Sequence, residues 1–207
     1  MLKNIKLSQA MNARLCHDLA GSVGAIDSYF SLFEHEDKAI CKKAKKLAFE
    51  ESSNLMSKIK LFRSAYGISG GEDSMSLINM AKLLIDFFDN TQVQLNLHFE
   101  TGLLYIDESL AKSAICLVII ASENINYSGV IDLYLHKDQD SPVRLFGKGE
   151  NLIIKDEILQ VLQGETMKSI NVNNCREYYI NKICMNQGYR VLVQKKIDMI
   201  EYKLLKK

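Results

Sequence analysis

The sequence predicts an α+β chain, a long N-terminal helical hairpin followed by a sandwich of one sheet and covering helices. Three observations predict it. Leu15, Leu19, Ser22, Ile26, Tyr29 and Phe33 alternate at spacings of four and three, the a/d stripe of helices that pack on one another. Composition then shifts at Gly67–Ser76, GISGGEDSMS, where three glycines fall in five residues, as in a hinge or linker. Beyond it Val93, Leu95, Leu97 and Phe99 alternate strictly, the period of a strand with one buried face. The expected organisation is a helical dimerisation domain over 1–67, a linker over 68–76 and an α/β sandwich over 77–207.

In the first helix Cys16, Val23, Ala25, Phe30 and Leu32 flank the stripe with further apolar groups. The apolar face is wider than a two-stranded seam needs and suits a four-helix bundle. The break falls at Glu34–Asp37, whose acids favour the start of a second helix. Ile40, Ala44, Leu47, Leu55, Ile59, Phe62 and Tyr66 continue the helical stripe. Each helix, about 25–30 residues long and so long for a globular protein, exposes more apolar surface than its partner covers. Pairing of two hairpins into a homodimeric bundle is the economical solution.

After the linker, Leu77–Phe88 reads as a helix, and Glu108–Glu123 as a nearly all-apolar helix at the core of the second domain. Asn126–Gly129 is a turn between it and a strand over Val130–His136. Val143–Phe146 is a strand, Lys155–Leu162 and Cys175–Asn186 are helices, and Arg190–Val193 with Ile197–Lys203 form a terminal antiparallel hairpin. Helix, strand, helix and then several strands make a sheet with covering helices.

The 207 residues carry 26 Lys+Arg against 25 Asp+Glu, a net charge of +1, which argues against nucleic-acid binding by bulk electrostatics. The longest uncharged apolar run, Ser113–Ser122, is half of the roughly 20 residues needed to cross a bilayer. The first residues hold no apolar block of the signal-peptide kind, so the expected location is the cytoplasm. The five cysteines form no CxxC pair and have no histidine at ligand spacing, so neither a disulfide framework nor a metal site is expected.

Of four histidines, His35, His98 and His136 sit in turn or outward strand positions and read as ordinary surface residues. His17 lies opposite the stripe. Around it are Ala13, Ala20, Gly21, Gly24, Ser28 and Ser31, where a solvated helix face normally carries Lys, Glu and Arg. Glycine inside a helix costs about 0.5–1 kcal/mol relative to alanine, and it occurs here twice. The face is smooth enough for another protein to approach the backbone, with the imidazole projecting into the contact. The residues alone leave two accounts open, a plain surface histidine or a functional one. Asp18 could orient one ring nitrogen of His17 and leave the other nucleophilic. Arg14, one turn earlier, could contact an anion, and a plain solvated ionic face accounts for Asp18 and Arg14 as well.

The segment Leu15-Cys16-His17-Asp18-Leu19-Ala20-Gly21-Ser22-Val23-Gly24-Ala25-Ile26 resembles the phospho-acceptor box of two-component histidine kinases. It resembles still more the ChpT-type histidine phosphotransferases of alphaproteobacterial phosphorelays, whose motif runs close to LCHDLxxPVGAI. Phe62-Arg63-Ser64-Ala65-Tyr66-Gly67 is similar to that family's F-x-R-x-A-F-G segment, and Glu123 with Tyr127-Ser128-Gly129 to its A-E-A-x-x-x-G-G stretch. The resemblance covers nearly the whole chain. It implies a homodimeric four-helix bundle with one acceptor His17 per subunit, each followed by a degenerate kinase ATP-binding domain. Family members relay phosphate between receiver domains of response regulators without binding ATP. Consistent with that, no Asp-x-Gly-x-Gly box and no Gly-rich lid follow Glu123.

On this resemblance His17 attacks the aspartyl phosphate of a docked receiver and Asp18 orients the ring. The receiver brings its own magnesium, and this chain needs no cofactor or metal. Arg14, Ala20, Gly21, Gly24, Ser28 and Arg63 are the expected docking residues, with Tyr66 either a further contact or bundle core. Two departures stand out. Ser22 replaces the proline that kinks the family's helix, and Gly21 stands where bifunctional kinases place Thr or Asn for phosphatase work. The alternative function is a non-catalytic dimeric scaffold that binds or sequesters receivers.

Overall fold

The computed structural model describes residues 2–67, 73–164 and 169–207. Helices α1 (Leu2–Phe30) and α2 (Lys38–Tyr66) run antiparallel over 29 residues each. α1 starts well ahead of its apolar stripe and passes Ser22 without a break, as expected once the proline is gone. The Asp37 carboxylate caps α2 by accepting from the Ala39 N–H at 2.7 Å. At the other end the Gly67 N–H donates to the Arg63 carbonyl, and a Cβ on Gly67 would lie 2.4 Å from that oxygen. Such a close approach admits glycine alone.

The second domain is a five-stranded sheet in the order β2-β4-β5-β7-β6. Its strands are β2 (Gln92–Phe99), β4 (Ser128–Leu135), β5 (Val143–Lys148), β6 (Tyr189–Lys195) and β7 (Met199–Lys206). β2 and β4 are parallel and joined through α4 (Glu108–Asn124), while the other pairs are antiparallel. α3 (Leu77–Phe88), α5 (Asp156–Gln163) and α6 (Cys175–Asn186) complete the helical layer. Ser74–Ser76, placed in the linker from sequence, instead form β1, which pairs antiparallel with β3 (Tyr105–Asp107). Three-residue strands are too short to show a period. The first part of that linker, 68–72, lies outside the described residues.

α4 is the hub. The Asp107 carboxylate caps it by accepting from the N–H groups of Ser109 and Leu110. Its residues from Ala111 to Ala121, Lys112 apart, are essentially buried among the sheet, α6 and α2, which explains an apolar run with no polar face. The turn after it holds Asn126 and Tyr127 at φ 53° and 54° and Gly129 at φ 133°. A Cβ on Gly129 would lie 2.1 Å from the Lys148 carbonyl, so only glycine fits there.

Among the described residues no helix is long and apolar enough to cross a membrane. The five cysteines are all free, with Cys116, Cys175 and Cys184 buried.

Candidate functional site

His17 projects from the middle of α1 with 82% of its side chain exposed. Ala20, Gly21, Gly24 and Ser28 are exposed beside it, and a Cβ at either glycine would meet nothing within 4 Å. The small-residue face is therefore open. Ser28 turns its hydroxyl back to the Gly24 carbonyl at 2.8 Å, which leaves that surface smooth.

Asp18 points the other way, toward the second domain. Only 18% of its side chain is exposed. One oxygen lies 3.4 Å from His17 Nδ1, at the long end of a hydrogen bond, and the other accepts from the Arg176 guanidinium of α6. Arg176 also donates to Glu123 at the end of α4. Arg14 closes the ring, with Nη2 donating to Glu123 at 2.9 Å and Nε lying 3.3 Å from Asp18. The His17 segment of α1 is thus bolted to α4 and α6 by two guanidiniums shared between two carboxylates. The Arg176 side chain is 4% exposed and its guanidinium lies over the Phe62 ring. Burial works against its charge, but Tyr66, Glu123 and Asp18 outweigh that and raise its pKa. Arg14 is likewise raised, Glu123 overcoming partial desolvation and the repulsion of Arg176.

Glu177, next along α6, is a third carboxyl at this junction and is 6% exposed. Burial, helped by Glu123 and opposed by Arg176 and Arg14, pushes its pKa up to about 7. The two guanidiniums bond Asp18 and Glu123, and burial outweighs their pull on Glu177.

A cleft of about 660 Å³ opens between His17, Asp18 and Gly21 on α1, Lys58 and Phe62 on α2, and a second-domain wall that includes Asn90, Asn126, Tyr127 and Arg176. Among the described residues no cluster of three or more His, Cys, Asp or Glu could hold a metal ion. Asn124, beside Glu123, is buried and donates its amide to the Tyr202 hydroxyl at 2.6 Å.

Several expectations change here. Arg14, expected on the docking face, is committed to the internal ion network and only 24% exposed. Its i, i+4 spacing to Asp18 and the contact with Glu123 draw it off that face. Arg63 is exposed but does not line the His17 cleft. Tyr66 packs edge-on against Tyr179 with ring centroids 5.3 Å apart, as core between the hairpin and α6. Arg176 and Lys58 had no signal in the sequence, because what singles them out is a partner distant along the chain.

A family sequence model, the histidine phosphotransferase C-terminal domain, matches residues 79–198. The chain belongs to the histidine phosphotransferase family. The family assignment agrees with the ChpT-type resemblance of the His17 segment and carries a phosphorelay role within two-component signalling. A bacterial phosphotransferase solved at 1.7 Å is similar over 99% of this chain and 98% of its own, with a TM-score of 0.84 at 18% identity. That likeness gives this phosphotransferase the same fold from end to end. The Acinetobacter baumannii histidine kinase AdeS aligns over 91% of this chain and 97% of its own, with a TM-score of 0.47 and 9% identity. A blue-light activated histidine kinase of Erythrobacter litoralis aligns over 88% and 95%, with a TM-score of 0.45 and 8% identity. No curated protein sequence matches the chain.

Proposed function

We propose that this histidine phosphotransferase relays a phosphoryl group between receiver domains of response regulators through phospho-His17, in the cytoplasm and without ATP. The observation that carries the proposal is the pairing of an open His17 with a fixed Asp18. The imidazole is free for a partner to reach, while its neighbouring carboxylate is held by two arginines and cannot turn away. In-line transfer needs positioning and charge compensation more than covalent help from the protein. A receiver carrying an aspartyl phosphate docks on the Ala20, Gly21, Gly24 and Ser28 face and brings its own magnesium. His17 Nε2 attacks phosphorus, and Asp18 meets the positive charge that the ring gains. Return of the group to a second receiver reverses the geometry.

The same proposal makes the protein a homodimer. Val23, Phe30, Phe49 and Met56 on the hairpin are 54%, 56%, 75% and 52% exposed. An unshielded apolar surface of this kind is what a second hairpin would cover. A monomer by sedimentation at micromolar concentration would remove this part of the proposal.

The deciding experiment is transfer from a phosphorylated receiver of the same organism to wild type and His17→Ala in parallel. Acid-labile label on wild type alone is the expected result. Label on both moves the acceptor elsewhere. Binding without label on either leaves the scaffold function.

A further inference from the structure

We propose that Lys58 is the cation that meets the phosphoryl group at His17, held ready on the buried hydroxyl of Ser22. The inference rests on the phospho-His17 relay proposed above and adds a residue to it. Lys58 reaches from α2 across to α1, where its Nζ donates to Ser22 Oγ at 2.9 Å. Ser22 is only 4% exposed. At this position the family that the segment resembles carries proline, whose side chain has no acceptor to offer an ammonium. The substitution that removes a kink therefore also creates a seat for a charge.

Lys58, Gly21 and His17 line the same cleft. Among the described residues its other Lys or Arg side chain is Arg176, whose guanidinium is divided between Asp18 and Glu123. Lys58 bonds a hydroxyl and, among the described residues, no carboxylate. The bond to Ser22 is charge-assisted from the donor side only, whereas a phosphoryl oxygen adds the attraction of its own negative charge. An arriving phosphoryl oxygen is thus a better partner for the ammonium than Ser22 is. Gly21, one helical turn from His17, adds no side chain to the cleft, and a Cβ there would meet nothing within 4 Å. A lysine ammonium on its flexible stem suits a group that shifts position during transfer.

In the step itself the lone pair of His17 Nε2 forms the N–P bond as the P–O bond to the receiver aspartate breaks. The carboxylate departs with the electron pair. The ring becomes cationic, with Nδ1–H toward Asp18. Lys58 keeps its protons and offsets charge on the phosphoryl oxygens, an effect strongest in the transition state.

The test compares wild type, Lys58→Met, Lys58→Arg and Ser22→Ala. Two donors are used, a phosphorylated receiver and phosphoramidate, a small donor that loses ammonia as His17 gains the phosphoryl group. Receiver affinity and melting temperature are measured alongside. Lys58→Met is expected to slow labelling about tenfold or more with both donors, with receiver affinity and melting temperature close to wild type. Lys58→Arg recovers most of the rate, and Ser22→Ala loses less than Lys58→Met. Unchanged labelling of Lys58→Met with both donors overturns the inference. So does slowing seen with the receiver alone and matched by an equal loss of receiver affinity, which would make Lys58 a docking contact. If phosphoramidate labels wild-type His17 but no receiver does, the relay fails while the phosphoramidate rates still decide Lys58.

Discussion

The guanidinium of Arg176 bonds the carboxylate of Asp18 across 158 positions of sequence, and this contact ties the His17 segment to the second domain. Asp18 is adjacent to His17, so an α6 side chain sets how far that carboxylate can move. The second domain is then more than a platform beside the helical hairpin. Through Arg176 and Glu123 it helps to fix the carboxylate beside His17.

Arg176→Met should therefore damage both stability and transfer. Removing one partner of a buried, hydrogen-bonded charge cluster costs about 3–5 kcal/mol, because Asp18 and Glu123 are left with Arg14 alone. Urea denaturation measures the loss. Transfer to His17, assayed well below the midpoint, should fall as well, since Asp18 is no longer held. A variant that folds less stably but transfers at the wild-type rate would confine Arg176 to a structural role.

Glu177 links stability to pH. Its pKa in the folded protein is about 7 against an ordinary 4.5, burial being the main cause. Below the ordinary value it is protonated whether folded or not, and it contributes nothing. Between the two values the unfolded chain ionises and the folded one does not, so stability falls as pH rises and the full penalty is reached above pH 7. Glu177→Gln removes that penalty. It should match wild type in denaturation near pH 4 and exceed it near pH 8 by an amount on the order of 1–3 kcal/mol. Equal stabilities at both pH values would show that Arg176 and Arg14 keep the carboxylate charged.

Gly24 separates folding from docking. A Cβ there meets nothing within 4 Å, and alanine in a helix interior is better than glycine by about 0.5–1 kcal/mol. Gly24→Ala should raise the melting temperature and weaken receiver binding. A variant that is both more stable and fully active would show that the receiver does not approach α1 closely at this point.

The sequence by itself determined most of the elements and one side of the site. Periods of 3.6 and 2 residues are local properties, so α1, α2, α3, α4 and the strands of the main sheet were legible from their own side chains. The small face around His17 is likewise a property of one helix, visible from the spacing of Gly21, Gly24 and Ser28. Tertiary structure alone decided what lies behind that face. Arg176 on Asp18 and Lys58 on Ser22 join residues 158 and 36 positions apart, and nothing in the local pattern around either cation points to its partner. Arg14 shows the same limit in reverse. Its spacing to Asp18 placed both on one helix face, but only the arrival of Glu123 from α4 turned a candidate docking residue into an internal one. Buried charge needs an opposite charge at close range, and which charge comes within range is settled by the path of the whole chain.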